Sequence, residues 1–489
     1  MHRGGRLADR RARDWRGQVG LHAADVHARR SRAHAARPRG LRPAASLQSR
    51  QDLPGAAALR RGAGSVSAAS RRRGRPRRAT VTRTGDAAPI IEPGTAQEFA
   101  VALRDASARR QSVLIRGAGT KMDWGRTPAA IDVILSTRRM NRLLAHQHGD
   151  LTATAEAGAT LAGMNRTLAE HRQWLPLDPP FADRATIGGI LATNDSGPLR
   201  HRFGTPRDLV IGVELVTTDG ALAKAGGRVV KNVAGYDLSK LVAGSFGSLA
   251  AIVSATFKLA PLPAASKTLV IEASDFDALG RIVGAMMASQ LEPLAFEIHV
   301  PDVVGAELGP PSRAGQRRPL RSSLQLRFAS VAAACDAQIA QACALAPLTD
   351  CATETLQGDE EREAWETHAR RIWDAPGALV RASWLPATVS AAMSELRRMA
   401  GSACIQLAGR AAIGTGLIRI DADVRAQAAV VEQLRQSALF GNVVVVRGSP
   451  DLKALVDVWG PQGDRDQVFA SVKRALDPDG VLNAGRGPL

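Results

Sequence analysis

The chain has 489 residues, 45% of them hydrophobic, and a formal net charge of +19. This composition supports a large core in two or three domains and excludes a fibrous protein. No run of about 18 apolar residues is present, so we expect at most a peripheral association with membranes.

The positive charge is concentrated in residues 1–85, which contain 22 arginines and four aspartates but no lysine or glutamate. The rest of the chain carries 43 basic and 42 acidic groups, which argues against a nucleic-acid surface there. We predict that residues 1–85 are disordered, because they are poor in large apolar side chains. Three explanations are compatible with this composition: a transit peptide, a nucleic-acid-binding arm, or upstream codons that are translated because the start site is assigned too early. The absence of lysine favours the last explanation.

The cysteines give no sign of a metal centre. Cys335, Cys343, Cys351 and Cys404 have no C-x-x-C spacing, which argues against zinc or an iron–sulfur cluster in this chain. The apolar stretch of a secretory signal is also missing. We therefore expect a cytoplasmic, reduced protein, associated with the inner face of the membrane only through partners.

Residues 86–263 are predicted to form an α+β domain. Thr95 is a suitable N-cap for a helix whose apolar face repeats at helical spacing from Phe99 to Ala106. The apolar run 113–115 then predicts a strand that feeds the glycine loop 116–120.

Further predicted strands and a second helix follow along the chain. Residues 151–155 alternate like a strand, and Thr160 caps a second helix. The run 209–216 predicts a strong strand that folds back as a hairpin at the turn 217–220. Residues 251–259 form the last predicted strand, before prolines at 261 and 263 mark a boundary.

Residues 264–489 are predicted to be an α+β cap domain. Residues 276–289 and 359–371 read as helices, whereas 323–328 and 443–446 read as strands. The charge run at 359–371 is interpreted as a solvated helical face.

Three glycine-rich segments suggest a large, extended cofactor. They are 116–121, 179–197 and 230–249. The first alone fits a tight turn, since Met122 stands where a Rossmann fingerprint needs a third glycine. Together, the three segments allow the backbone to approach both phosphates and a flat ring.

The order of these motifs resembles the FAD-binding domain of the vanillyl-alcohol-oxidase (PCMH-type) family. Gly-x-Gly at 117–119 is followed by Ala-Thr-Ile-Gly-Gly at 185–189, Phe-Gly-x-x-x-Asp at 203–208 and Gly-Ser-Leu-x-x-Ile-Val at 247–253. The string Lys-Asn-Val-Ala-Gly-Tyr-Asp-Leu at 231–238 is similar to FAD-binding subunits of bacterial glycolate oxidases. The resemblance covers about residue 90 to the end.

This resemblance implies FAD as the cofactor, held non-covalently because Thr120 stands where covalent members often have a histidine. It implies pyrophosphate contacts from one loop, flavin and ribityl contacts from the second segment, and adenine contacts from the last strand. The implied residues are Arg116, Gly117, Ala118, Gly119, Thr120, Lys121, Thr186, Ile187, Gly188, Gly189, Asn194, Ser196, Gly247, Ile252 and Val253.

The resemblance also implies oxidation of glycolate, or another 2-hydroxy acid, to the keto acid. A second flavin subunit and an iron–sulfur subunit would receive the electrons. The reaction needs a cation for the carboxylate and a base for the hydroxyl proton. Catalytic relatives carry a motif that contains a histidine, but the comparable stretch of this chain, residues 409–416, has none. The catalytic residues are therefore unknown, and the candidates are His201, Tyr236, Arg410 and Lys231. His201 also fits an exposed loop, and Tyr236 also fits packing against FAD.

Three alternatives remain open at this point. They are a self-sufficient FAD-linked D-2-hydroxy-acid dehydrogenase, a structural subunit without flavin, and a protein that binds nucleic acid through its basic tail. The near-neutral charge of residues 86–489 argues against the last.

Overall fold

In the computed structural model, the described residues are 88–128, 130–227, 237–301, 321–346, 351–461 and 463–488. They belong to one structural unit that spans 79–489. The predicted disorder of residues 1–85 lies outside the described residues, and so do the candidates Lys231 and Tyr236.

A small parallel sheet begins the fold. Its parts are β1 (Ile90–Ile91), α1 (Ala96–Ala108), β2 (Val113–Arg116) and β3 (Val133–Ser136), with strand order β1-β3-β2. The Thr95 hydroxyl accepts a hydrogen bond from the Glu98 N–H at 3.1 Å, and the Glu98 carboxylate accepts one from the Gly94 N–H. Phe99 and Leu103 of α1 are fully buried, which confirms the predicted cap and helical face.

A five-stranded antiparallel sheet follows. Its strands are β4 (Leu143–Gln147), β5 (Thr152–Glu156), β7 (Val210–Val216), β8 (Leu222–Gly226) and β9 (Ala251–Lys258), in the order β4-β5-β9-β7-β8. The short strands β6 (Gln173–Trp174) and β10 (Ala260–Pro261) pair separately. The helices are α2 (Leu161–Ala169), α3 (Ile187–Thr193), α4 (Arg200–Phe203), α5 (Pro206–Leu209) and α6 (Leu238–Val242). The predicted hairpin is confirmed as β7–β8, with Gly220 at a φ of 81° in its turn.

An eight-stranded antiparallel sheet contains the largest core. Its strands are β11 (Ala265–Ala273), β12 (Ala295–Val300), β13 (Ser323–Ser330), β14 (Cys351–Gln357), β15 (Ala378–Ser383), β16 (Cys404–Arg410), β17 (Thr415–Asp421) and β18 (Gly441–Arg447), in the order β14-β11-β13-β12-β16-β17-β15-β18. The accompanying helices are α7 (Phe276–Ala288), α8 (Ala332–Leu345), α9 (Gly358–Arg371), α10 (Val389–Ala400), α11 (Val424–Gln436), α12 (Pro450–Leu455) and α13 (Arg465–Leu476). The predicted α+β class is confirmed.

The interpretation of residues 359–371 as a solvated helical face was wrong for two positions. The helix exists as α9, but Glu361 and His368 are buried against the eight-stranded sheet at 3% and 7% exposure. Both side chains find polar partners on the sheet, which is why a charged helix packs there. No helix in the described ranges is long and apolar enough to cross a bilayer.

Strands β1–β10 precede residue 263, and the eight-stranded sheet begins at Ala265. We propose that this point divides an FAD-binding domain from a cap domain. A late segment returns across the division, since Val481 and Leu482 pack in the same core as Phe99 and Val113.

Residues 481–486, which we call the returning segment, are fixed to β2 and its following loop. The Val113 N–H donates to the Val481 carbonyl, and the Asn483 N–H donates to the Val113 carbonyl, both at 2.9 Å. The Asn483 side chain accepts from the Ile115 N–H at 2.9 Å and donates to the Phe246 carbonyl at 2.6 Å. The segment therefore runs parallel to β2 and extends its sheet.

Arg486 anchors the loop after β2. Its Nη2 donates to the carbonyl oxygens of Lys121, Met122 and Trp124 at 2.6, 3.1 and 3.2 Å. Burial lowers the pKa of this guanidinium to about 10. One buried cation thus satisfies three carbonyls of one turn.

Replacing Arg486 by methionine keeps most of the length of the side chain but leaves these carbonyls without their donor. We expect the free energy of unfolding to fall by about 3 kcal/mol. Arg486→Met and a control, Arg474→Met at an exposed position of α13, are to be compared by chemical denaturation. Equal midpoints for the two variants would contradict the anchoring role.

Candidate functional site

The loop after β2 approaches the start of α3 so closely that glycine is required. A Cβ on Gly117 would overlap Oγ1 of Thr186, and a Cβ on Gly188 would lie 2.8 Å from the Cβ of Ala157. Gly119 has a φ of 82°, in the left-handed region that favours glycine. Bare backbone therefore forms two walls of a cleft.

We call this the glycine-loop cleft; it encloses about 680 Å³ of empty space, part of it open to solvent. Its described lining includes the cations Arg116, Lys121 and Arg486 but no carboxylate, which suits an anion such as a pyrophosphate. The lining residues are Ile115, Arg116, Gly117, Ala118, Gly119, Thr120, Lys121, Met122, Thr137, Ala157, Thr186, Gly188, Gly189, Ala192, Thr193, Phe246, Gly247, Ala250, Ile252, Asn483 and Arg486.

The cleft brings together most of the residues predicted to contact the cofactor, but four lie elsewhere. Ile187 and Val253 are buried in two different cores. The Asn194 side chain accepts a hydrogen bond from the Arg207 N–H at 3.0 Å, and Ser196 lines a neighbouring cavity. The predicted residues that do line the cleft are Arg116, Gly117, Ala118, Gly119, Thr120, Lys121, Thr186, Gly188, Gly189, Gly247 and Ile252.

The neighbouring cavity, which we call the arginine cavity, lies between the second glycine-rich segment and the eight-stranded sheet. It encloses about 710 Å³, again partly open to solvent. It is lined by Trp124, Asp178, Pro180, Asp195, Ser196, Gly197, Pro198, Arg200, Glu297, His368, Ala369, Ile372, Trp373, Arg381, Ala408, Arg410, Thr415, Gly416, Leu417 and Val446.

Three guanidinium groups converge on this cavity. Burial lowers the pKa of Arg200 and of Arg381, and the positive charge of Arg410 lowers both further. Within the described part of the chain, the Arg381 side chain has neither a hydrogen bond nor an ion pair, although Asp195 attracts its charge. A partly buried cation without a partner is costly, so this arrangement favours binding of an anion.

Arg410, a candidate from the sequence, has partners on both sides of the cavity. Its guanidinium donates to the carbonyl oxygens of Gly197 and Ser196 at 3.2 and 3.3 Å. Its Nε also lies 3.4 Å from Oε1 of Glu297. Arg410 therefore fastens the second glycine segment to the eight-stranded sheet.

The cleft and the cavity adjoin at one buried ion pair. Nζ of Lys121 lies 3.3 Å from Oδ2 of Asp195, and both side chains are almost fully buried. Lys121 lines the glycine-loop cleft, whereas Asp195 lines the arginine cavity. A ligand in the cleft and another in the cavity would thus be neighbours.

Asp178 is a carboxyl group of the cavity with a shifted pKa. Burial raises its pKa to about 7, although the Leu199 N–H, 2.9 Å from Oδ2, and the charge of Arg410 act in the opposite direction. A Cβ on Gly197 would overlap the Asp178 carbonyl, so the two backbone segments meet without space between them.

His201 is placed differently from its interpretation as an exposed loop residue. It lies partly buried on α4, with its ring edge-on to that of Phe296 and the ring centroids 6.2 Å apart. Burial lowers its pKa, so the imidazole is neutral at pH 7. His201 is absent from the described lining of the arginine cavity, and Tyr236 lies outside the described residues.

The sequence reasoning missed Arg200, Arg381, Glu297 and His368 as residues of the cavity. Glu297 lies within the apolar strand β12 at 1% exposure, and its Oε2 is 3.1 Å from Nε2 of His368. An acidic residue inside an apolar run was the available signal. His368 gave none, because the charge run around it resembles a surface helix.

The comparisons with known proteins agree with this geometry. Residues 87–226 match the family described as FAD binding domain. Over 208 residues the chain is 33% identical to glycolate oxidase subunit GlcD of Bacillus subtilis, covering 42% of this chain and 44% of that protein. It is 34% identical over 195 residues to glycolate oxidase subunit GlcE of Escherichia coli, covering 39% and 53% respectively. The matches thus span about half the length of these relatives.

A solved structure of alkyldihydroxyacetonephosphate synthase has a similar fold. It superposes with a TM-score of 0.62 at 15% identity, over 81% of this chain and 75% of that one. The fold is similar to that of the solved synthase, and the matched residues 87–226, which supply most of the lining of the glycine-loop cleft, are those of an FAD binding domain. This chain contains such a domain, and FAD is its cofactor. The cations in the described lining of the cleft, which includes no carboxylate, fit the FAD pyrophosphate.

Replacing Gly117 by alanine should weaken FAD binding, because the new methyl group overlaps Thr186 and forces the two walls of the cleft apart. We expect at least a tenfold weaker affinity, about 1.4 kcal/mol. Gly149→Ala is the control, since no atom lies within 4 Å of its Cβ position. The measurements are the FAD content of the purified proteins and titration of each apoprotein with FAD. Equal affinities of the two variants for FAD would exclude a role for the close approach of Gly117 to Thr186.

Replacing Asp178 by asparagine should change how stability depends on pH. Because the folded pKa of Asp178 is raised above that of the unfolded chain, the native protein loses stability as pH rises from about 4 to about 7. An amide does not titrate, so Asp178→Asn should gain about 1–3 kcal/mol over the native chain between about pH 5 and pH 8. Denaturant unfolding near these two pH values tests this, with the exposed Asp183→Asn as control. The same difference from the native chain at both pH values would contradict the raised pKa.

Proposed function

We propose that this chain is the FAD-binding subunit of a glycolate oxidase, which oxidises glycolate, a 2-hydroxy acid, to glyoxylate. The observation that carries this proposal is the arginine cavity beside the FAD cleft, joined to it by Lys121 and Asp195. The names of two relatives, glycolate oxidase subunits GlcD and GlcE, support the same reaction class.

The cavity meets the first requirement of that substrate, a cation for the carboxylate. Arg381 has no partner in the described residues, and its planar group can bind a carboxylate through two parallel hydrogen bonds. Arg200 lies nearby, since the charge of Arg381 adds to the effect of burial in lowering the pKa of Arg200. We infer that Arg381 holds the substrate carboxylate and that Arg200 adds positive potential.

The second requirement is an acceptor for two electrons, which FAD supplies when bound. Oxidation removes the hydroxyl proton and the hydrogen on the adjacent carbon with its electron pair, so the alcohol carbon becomes a carbonyl. The chain contributes the binding of the carboxylate and a partly enclosed pocket in which an acid–base group acts more strongly than in water.

The electrons then leave through partners in this proposal. A second flavin subunit and an iron–sulfur subunit would complete the complex, because this chain has no cysteine spacing for a cluster. Non-covalent FAD, a cytoplasmic location and attachment to the membrane only through partners belong to the same proposal.

One alternative is supported by a specific observation. D-2-hydroxyglutarate dehydrogenase of Xanthomonas citri is 33% identical to this chain over 208 residues, which cover 42% of this chain and 44% of that protein. A carboxylate-binding arginine beside the cofactor also suits a self-sufficient FAD-linked D-2-hydroxy-acid dehydrogenase.

The test is the visible spectrum of the purified, FAD-loaded chain, recorded without oxygen before and after addition of glycolate. Bleaching of the flavin by glycolate alone indicates that this chain carries the catalytic site. Bleaching only after the partner subunits are added supports an electron-relay role. Reduction by D-2-hydroxyglutarate but not by glycolate favours the alternative, and no reduction by either acid contradicts both.

Replacing Arg381 by glutamine should raise KM for the 2-hydroxy acid roughly tenfold to a hundredfold, because a charge-assisted hydrogen bond of about 1.5–3 kcal/mol is lost. FAD content should not change, since Arg381 is not part of the described cleft lining. The exposed Arg397→Gln on α10 is the control. Steady-state kinetics decide, and an unaltered KM would remove Arg381 from the substrate site.

A further inference from the structure

A carboxylate is buried where the arginine cavity meets the eight-stranded sheet. Glu297 lies in the middle of β12, between Phe296 and Ile298, which are both buried, and only 1% of Glu297 is exposed. Placing a charge in an apolar strand is costly unless partners compensate it. The position therefore needs either a structural or a chemical reason.

The two oxygens of Glu297 have different surroundings. Oε2 lies 3.1 Å from Nε2 of His368, which comes from α9. Oε1 has no hydrogen-bond partner within the described residues, and its nearest charge is Nε of Arg410 at 3.4 Å. Glu297 and His368 both line the arginine cavity. One oxygen is thus held in place, and the other is available.

His368 also connects the cavity with a second cleft. That cleft, which is open to solvent, is lined by Gln325, Glu354, Leu356, Glu360, Glu363, Ala364, Thr367, His368 and Arg371. Its carboxylates and hydroxyl group can accept and pass on protons. A proton taken up in the cavity therefore has a polar route towards bulk water.

Charged and titratable groups face the pair from each element packed against it. These are His299 of β12, Arg327 of β13, Arg410 of β16, Arg371 of α9, His201 of α4, and Asp178. Burial, followed by the charge of Arg371, holds the pKa of His299 well below its usual value, so this ring is neutral. Arg410 is the cation in direct contact with Glu297, since its Nε lies 3.4 Å from Oε1.

We propose that Glu297 accepts the hydroxyl proton of the bound 2-hydroxy acid at Oε1, and that His368 is a positioning residue which donates to Oε2. This inference rests on the proposed function. The O–H bond of the substrate breaks and its proton forms an O–H bond on Glu297 at Oε1. FAD, when bound, would supply the two-electron acceptor for the hydrogen and electron pair of the adjacent C–H bond. The keto acid is released, and the proton later passes to water.

Oxalate imitates the substrate after its hydroxyl proton has left. One carboxylate of oxalate can bind at Arg381, and the other then lies where the hydroxyl oxygen of the 2-hydroxy acid would be. This second carboxylate has no proton to share with Glu297, so Glu297 takes one from water when oxalate binds, whereas a 2-hydroxy acid brings its own hydroxyl proton. A buried glutamate outside the ligand's reach would take up none.

The first test is Glu297→Gln in the full-length, FAD-loaded chain, which preserves shape and an acceptor for His368. We expect flavin reduction by saturating glycolate to slow by about a hundredfold or more, the usual range for loss of a general base. Glu361→Gln is the matched control, because Glu361 is similarly buried on α9 but contacts Ser266 and Thr268 outside the cavity. Glu297→Asp should recover part of the rate.

The second test needs no turnover. Oxalate, which carries carboxylates but no C–H bond, is titrated calorimetrically into the native chain and both glutamine variants in two buffers of different ionisation enthalpy. We expect the native chain and Glu361→Gln to take up protons on binding oxalate and Glu297→Gln to take up none. Equal proton uptake in Glu297→Gln, or a rate within about threefold of the native one, would overturn the inference.

If Glu297→Gln fails to fold, His368→Gln decides. A positioning role predicts a lower kcat with an altered pH profile and little change in KM, whereas an unaltered pH profile excludes it. A native chain that neither binds oxalate nor is reduced by any 2-hydroxy acid, alone or with its partner subunits, refutes the proposed function itself. The behaviour of the native chain thus distinguishes failure of the proposed function from failure of the assignment of Glu297 as the base.

Discussion

Lys121 and Asp195 form a buried ion pair with a nitrogen–oxygen distance of 3.3 Å, and the arrangement of both sites depends on it. Lys121 ends the first glycine loop, whereas Asp195 follows α3 in the second glycine segment. Removing one partner of such a pair typically costs about 3–5 kcal/mol, because an uncompensated charge stays buried. The pair therefore fixes the distance between the FAD cleft and the arginine cavity.

The same constraint explains why so many cations can coexist here. Asp195 attracts Arg381 as well as Lys121, so one carboxylate offsets charge on both sides of the boundary. Glu297 does the same for Arg410 at the far wall. Because the pKa of Asp178 is about 7, much of this carboxyl group is uncharged near neutral pH, and the cavity keeps an excess of positive charge that suits a small anionic substrate.

Local features were predictable from the sequence because they depend on neighbouring residues. The cap at Thr95, the hairpin β7–β8 and the glycine loop follow from spacing and from the conformational freedom of glycine. The resemblance placed Ile187 among the cofactor contacts, although helical geometry turns its side chain into the core.

The walls of the cavity were not predictable in this way. Glu297 and His368 are 71 positions apart, and their contact exists only because α9 packs on β11 and β14 of the sheet that also contains β12. Arg381 lies on an ordinary strand, and nothing in its neighbours marks it as unpaired. Whether a charged side chain is buried depends on how the sheet and helices pack together, and the periodicity of the sequence does not contain that information.

The returning segment has a consequence for the order of events during synthesis. Arg486 contacts the Lys121 carbonyl across 365 positions of sequence. At roughly 5–20 residues per second, a ribosome needs on the order of 20–70 s to make the intervening chain. Throughout that interval the loop around Lys121 lacks its anchor. A nascent chain should therefore bind FAD with its full affinity only after residues 481–486 have emerged from the ribosome.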